Sequence, residues 1–231
     1  RSEMAARPSK IVAYDLGTGG SKASLFDADG RCLAFTFVQY DTLYPETGWH
    51  EQRPEDWWKA IQRSTTELLS KKIVAPADIA CLAISGQSLG VVPVDEGGAL
   101  LREATPIWSD TRASRQAAAF FEKVDPEKWY MTTGNGFPAE CYSIFKIMWY
   151  RDNEPAVFGR ARRILGSKDY INLRLTGKMA TDYSYASGSG AYSLLGWRYE
   201  QEFIRASGLP AELFPEIVDS TRILGPLTAE A

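Results

Sequence analysis

With 231 residues, 45% hydrophobic and 24% charged, the sequence is long enough for one large domain or two small ones and can fill a core. A net charge of −3 without a basic block argues against nucleic acid as the main partner, and no apolar run approaches the roughly 20 residues of a membrane span. The polar start RSEMAARPSK is not a signal peptide, and three scattered cysteines (Cys32, Cys81, Cys141) fit a reducing cytoplasm rather than a disulfide framework or a metal site.

In chain order, residues 11–15, 21–27 and 32–40 read as three consecutive strands, the last two joined by the hairpin turn Asp27-Ala28-Asp29-Gly30. The first strand ends on Asp15, and Leu16-Gly17-Thr18-Gly19-Gly20 forms a tight turn after it. Glycines there admit positive φ and close approach of a ligand, so successive N–H groups can form an anion nest. Thr18 adds a hydroxyl and Lys22 a charge, while Asp15 is placed to hold Mg²⁺ through water. A plain hairpin turn is the alternative; the stretch is neither a P-loop nor a good Rossmann fingerprint.

Residues 48–52 read as a loop. Pro54 opens a helix at its N1 position with Glu55 and Asp56 in the first turn, and Trp58, Ile61, Thr65, Leu68 and Leu69 lie on one face. Ile79 to Ser85 has the composition of a buried strand and runs into the loop Gly86 to Gly90. A hairpin (91–101), a short strand (106–108) and a helix from about Thr111 to Lys123 follow, with Ala113, Ala117, Phe120, Phe121 and Val124 facing inward. Beyond a loop at 133–138 come a helix carrying Ile144, Ile147 and Met148, a strand at 162–165 and a helix from Ser167 to Leu175. A shaped loop spans 181–190, a helix spans 199–207, and no closing element follows Thr221. An opening meander followed by alternating strands and helices predicts an α/β domain on a mixed sheet.

Taken together, DLGTGGSK (15–22), GWHEQRPEDWW (48–58), ISGQSLG (84–90), IWSDTR (107–112) and SKDYINLRLTGKMATDYSYASG (167–188) resemble the motifs of the FGGY carbohydrate kinases, the family of xylulokinase and glycerol kinase, in order and along nearly the whole chain. The resemblance implies an actin-like, ribonuclease-H-like ATPase fold of two lobes, with ATP in the cleft between them and the sugar deep in the same cleft. This chain would be the first lobe: residues 1–9 an N-terminal extension, 10–231 the sugar- and phosphate-binding lobe, and the C-terminal lobe its partner. The family's catalytic Asp, in a Gly-Asp motif, is expected beyond Ala231, so the chain alone should be inactive and should expose an apolar face where the second lobe docks.

By the same resemblance, Asp15 holds the Mg²⁺ of Mg-ATP, and Gly17, Thr18, Gly19, Gly20 and Lys22 meet the phosphates, since phosphoryl transfer needs positioning and charge neutralisation above all. Gln87, Ser88, Leu89, Trp108, Asp110, Arg112 and Glu140 form the sugar side: amide, carboxylate and guanidinium against an aromatic wall. Asp110 also fits an N-cap of the helix after it. Asp182 braces its loop, and His50 is assigned to loop packing outside the site. Where xylulokinases carry Met-His and glycerol kinases Arg-Glu, this sequence has Ser88-Leu89, so neither substrate carries over. The expected activity is ATP-dependent phosphorylation of a ketose, a pentulose or hexulose, by a cytoplasmic enzyme for which a homodimer is compatible. A glycerol-kinase-like polyol kinase, a non-catalytic sensing lobe and an actin- or Hsp70-like ATPase are the alternatives.

Overall fold

A computed structural model describes residues 8–231, so most of the predicted extension 1–9 lies outside the described residues. Three strands open the chain: β1 (Lys10–Leu16), β2 (Gly20–Phe26) and β3 (Cys32–Gln39). The short β4 (Glu51–Gln52) precedes helix α1 (Pro54–Ser70), and β5 (Ile79–Gly86), β6 (Val92–Val94) and β7 (Thr105–Pro106) follow. Then come α2 (Ser114–Phe121), α3 (Pro126–Thr133), α4 (Ser143–Asn153), α5 (Pro155–Arg160), β8 (Arg163–Leu165), α6 (Ser167–Thr176), β9 (Ala180–Asp182) and α7 (Tyr183–Ala186). The last elements are β10 (Tyr192–Ser193), β11 (Arg198–Tyr199), α8 (Gln201–Ser207) and β12 (Glu216–Val218). The single lobe expected from the sequence divides into two compact units, one of residues up to Asp41 with Glu55–Gly86, the other of Thr42–Pro54 with Gln87–Ala231.

The first unit is a mixed sheet of order β3-β2-β1-β5. β1 and β2 pair antiparallel across the tight turn, whereas β5 returns parallel to β1, which requires a crossover, supplied by α1. Strand alternation gives the sheet two faces. On one lie Val12, Tyr14 and Leu16 with Ala23 and Leu25, all buried. α1 covers this face: Tyr14 Oη lies 2.6 Å from Thr65 Oγ1, and Thr36 Oγ1 donates to the Ser64 carbonyl at 2.9 Å. Trp57, Ile61 and Leu68 of the helix are buried, each contributing roughly 1.5–3 kcal/mol. The opposite face carries Ile11, Ala13 and Asp15, cross-strand neighbours Lys22 and Phe26, and Phe35 and Phe37 on β3. Phe35 is 59% and Phe37 53% exposed. β5 corrects another expectation: it is an edge strand with exposed Ala80, Cys81, Ala83 and Ser85, because only β1 pairs with it.

The second unit is mainly helical. Phe120 of α2, Trp129 of α3, Phe145 and Tyr150 of α4 and Phe203 of α8 are buried in one core, with Phe120 and Phe145 edge-to-face at 5.3 Å. Short strand pairs tie its loops: β4 with β7, β6 with β8, β10 with β11, all antiparallel, and β9 with β12 in parallel. The structure adds α3, α5 and β12 to the sequence reading, gives β4 within the supposed loop 48–52, and starts α2 at Ser114 rather than Thr111. Ser167 is the first residue of α6 rather than its cap. Gly166 precedes it, and the Asp169 carboxylate accepts from the Gly166 N–H at 3.2 Å. Gly177 and Gly208 end α6 and α8 in the left-handed conformation, as placed from sequence.

Candidate functional site

The turn after β1 belongs to the first unit. Its glycines act differently from the expectation: Gly17, Gly19 and Gly20 all lack positive φ. Gly17 N–H closes the turn on the Gly20 carbonyl at 3.0 Å. At Gly20 a side chain would lie 2.5 Å from the Phe37 ring and 2.6 Å from the Val38 carbonyl, so the close approach is to β3 itself. Gly19 has open space around it. Tyr40 Oη donates to the Gly17 carbonyl, and burial, then the Asp15 carboxylate, push its phenol pKa upward. Asp15 and Lys22 are opposite each other in register, both exposed on the open sheet face, and the Lys22 ammonium lies 5.2 Å from the Phe35 ring centre. No cluster of three or more metal-ligating side chains occurs among the described residues. A lone exposed carboxylate fits Mg²⁺ that takes its remaining ligands from water and phosphate, and does not fit a metal held by protein alone.

In the second unit, motifs read separately from sequence meet. Asp110 and Arg112 have no side-chain exposure. Arg112 Nε and Nη2 donate to the two Asp110 oxygens at 2.9 and 2.8 Å, and Nη2 lies 2.7 Å from Glu51 Oε1. The guanidinium is stacked 3.9 Å from the Trp49 ring and 4.9 Å from that of Trp149. Asp110 also accepts from the backbone N–H groups of His50 and Arg112. Glu51 meets Arg102 at 3.1 Å, and Arg102 pairs with Glu154 at 2.8 Å. Both residues expected to contact sugar are thus held inside the unit, and the motif at 48–52 is their partner rather than a surface loop.

The same motif reaches the Gly-Gln loop: Gln87 Nε2 donates to Gln52 Oε1 at 2.7 Å, and the Gln87 carbonyl accepts from Ser167 Oγ at 2.7 Å. Ser88 is exposed. Leu89 has φ of 62°, a conformation that costs a non-glycine residue roughly 1–2 kcal/mol, and its side chain lies against Gly188, where a methyl would meet it at 2.7 Å. Ser187 next to that glycine accepts from Asn135 Nδ2 at 2.9 Å. Trp108 is 46% exposed. Glu140 is half-buried in a short turn.

Lys146 and His50 were not placed in the site from sequence. Lys146 is fully buried on α4 and donates to the Ile107 carbonyl at 2.7 Å. Burial, only partly offset by Asp110, holds its amine down to about 7. His50 is half-buried beside Ser109, Nδ1 to Oγ at 2.7 Å. The signal for both was weak: one lysine within an apolar helical face, and one histidine between Trp49 and Glu51.

The profile of the FGGY family of carbohydrate kinases, N-terminal domain, matches residues 10–231. The chain belongs to the FGGY carbohydrate kinase family. The xylulose kinase of Bacillus subtilis (strain 168) is 30% identical over 217 residues, 94% of this chain and 43% of that protein. A glycerol kinase of Thermococcus gammatolerans is 27% identical over 221 residues, 93% and 44% of the two chains. A crystal structure of a xyloylose kinase from Brucella ovis superposes with a TM-score of 0.88 at 31% identity, covering 96% of this chain and 46% of that one. A gluconate kinase from Lactobacillus acidophilus gives 0.87 at 27%, covering 96% and 44%. The chain therefore spans less than half the length of these relatives, and its mixed α/β architecture is that of the actin-like ATPase fold of FGGY sugar kinases. No helix among the described residues is long and apolar enough to cross a membrane.

Proposed function

We propose that the full-length protein carrying this chain is an ATP-dependent kinase that moves the γ-phosphoryl group of Mg-ATP to a primary hydroxyl of a ketose, a pentulose or hexulose. Family membership over residues 10–231 carries this reading, and several relatives named as xylulose kinases support the ketose. ATP and Mg²⁺ are assigned to the first unit: Asp15 would hold the metal, and the 17–20 turn with Thr18 and Lys22 would meet the phosphates. The metal would supply charge neutralisation on the transferring group. Sugar contacts are assigned to the second unit, with Trp108 as wall, Leu89 and Ser88 shaping the pocket, and Gln87 and Glu140 beside them. Asp110 and Arg112 act here by fixing the backbone that carries Trp108 and Ser109. Residues 10–231 act as the N-terminal lobe, and the proton-accepting carboxylate comes from the remainder of the full-length protein.

The test is turnover: the full-length protein should release ADP with at least one of a panel of pentuloses, hexuloses and polyols, and Asp15→Asn should lower that rate by about 100-fold or more. ATP binding without turnover of any sugar would favour a sensing lobe instead.

A further inference from the structure

The polar groups assigned to the sugar from sequence are largely engaged elsewhere. Asp110 accepts from the backbone N–H groups of His50 and Arg112 and from Nε and Nη2 of the Arg112 side chain. Arg112 is buried in the corner formed by the perpendicular Trp49 and Trp149 rings with Nη1 unpartnered, and Gln87 gives Nε2 to Gln52 while its buried Oε1 has no partner. Following the half-exposed Trp108 in sequence, Ser109 Oγ lies 2.7 Å from His50 Nδ1, and each of the two residues is half-buried.

His50 is fixed on several sides. Its N–H donates to Asp110 Oδ2 at 2.7 Å, its carbonyl accepts from Ile107 N–H at 3.0 Å, and its ring meets Tyr44 edge-on at 4.9 Å. No protein group among the described residues partners Nε2. Two tautomers are open to the pair. If Ser109 donates to Nδ1, Nε2 carries the proton and donates outward, and Oγ has lone pairs to spare. If Nδ1 donates to Ser109, the hydroxyl proton points elsewhere and Nε2 accepts. In both cases the pair presents one donor and one acceptor, which matches a hydroxyl group, a donor and acceptor at once. An aromatic wall beside such a pair is the chemistry that recognises a polyhydroxylated ligand.

Resting on the sugar-kinase reading above, we infer that Ser109 and His50 are a specificity-determining pair that reads a substrate hydroxyl next to Trp108, with Asp110 and Arg112 as its scaffold. The experiment uses the full-length protein with Ser109→Ala and His50→Asn. Asn retains a group near the Nδ1 position to partner Ser109 and removes Nε2, so a packing role would leave His50→Asn close to the wild type. Sugar binding is measured by calorimetry without ATP, and KM and kcat with it, on the best sugar of a panel and on its monodeoxy analogues. Each variant should weaken sugar binding about 10-fold, leave the KM for ATP unchanged, and lose nothing on the one analogue lacking the hydroxyl that is read.

Binding within twofold of the wild type in both variants overturns the pair, as does an equal loss on every analogue. If sugar binds with the hydroxyl-specific loss but no sugar is phosphorylated, the pair stands and the kinase reading falls. If turnover occurs without the loss, the kinase reading stands and the pair falls. If no sugar binds, both fall.

Discussion

Arg112 joins three things the sequence keeps apart: the Trp49 and Glu51 loop, the Asp110 turn and, through Trp149, helix α4. Removing its charge would leave the buried Asp110 carboxylate without its ion-pair partner and Glu51 with Arg102 alone, so Arg112→Met should cost about 3–5 kcal/mol by chemical denaturation. Arg112→Lys should recover little, since an ammonium cannot fork onto Asp110 and stack on Trp49 at once. A loss below about 1 kcal/mol in the Met variant would mean the cluster is not a scaffold. Lys146 gives a prediction in pH. Its amine titrates near 7 when folded against 10.5 as the ordinary value. Between those values the unfolded chain binds a proton that the folded chain does not, so this group's contribution to stability rises with pH, by up to about 1.4 kcal/mol per unit. Below pH 7 its penalty is full and constant. Measured from pH 6 to 9, wild type should gain on Lys146→Met above pH 7 and run parallel to it below; parallel curves throughout would contradict the burial argument. These residues were hard to read from sequence because their partners are distant: His50 and Asp110 are 60 positions apart, Lys146 and Ile107 39. Residue type alone pointed from Asp110 and Arg112 to sugar; their forked pairing inside the unit, invisible in sequence, is what leads us to propose them as scaffold.

At the scale of elements, the opening turn separates two uses of glycine. Gly20→Ala would drive a methyl into the Val38 carbonyl and the Phe37 ring and should destabilise by roughly 1–3 kcal/mol. Gly19→Ala meets nothing within 4 Å and should leave stability within about 0.5 kcal/mol. If Gly19→Ala nevertheless weakens Mg-ATP binding in the full-length protein, its lack of a side chain serves the ligand; equal destabilisation by both variants would undo the distinction. Much of this level was legible. The hairpin turn at Asp27–Gly30 and the Gly-rich turn marked β1, β2 and β3, and Pro54 with two acids marked α1, because these signals are local. α3 escaped although Asp125 caps it and Pro126 opens it: of its residues only Trp129 and Thr133 are buried, too few for a periodic stripe. β12 escaped because its three residues pair with β9 some 36 positions earlier in the chain, a contact that no local pattern encodes.

For the whole molecule, composition and motif order were enough to name the fold family, but not the division into two units, which depends on where contacts are dense. The open face of the first unit's sheet has a direct consequence. Phe35 and Phe37 stand in water, so the 231-residue chain should enhance the fluorescence of a hydrophobic dye, and Phe35→Ser with Phe37→Ser should remove most of that signal. A dye response unchanged by both substitutions would place the apolar surface elsewhere. The chain spans less than half the length of the relatives it matches, and turnover is measured on the full-length protein. The most direct measurement is ³¹P and ¹H NMR of the products formed by that protein from Mg-ATP and a ketose panel. The expected result is ADP together with a phosphomonoester on a primary carbon of one ketose; ADP and free phosphate with every sugar left unmodified would contradict the sugar-kinase reading and leave an ATPase in its place.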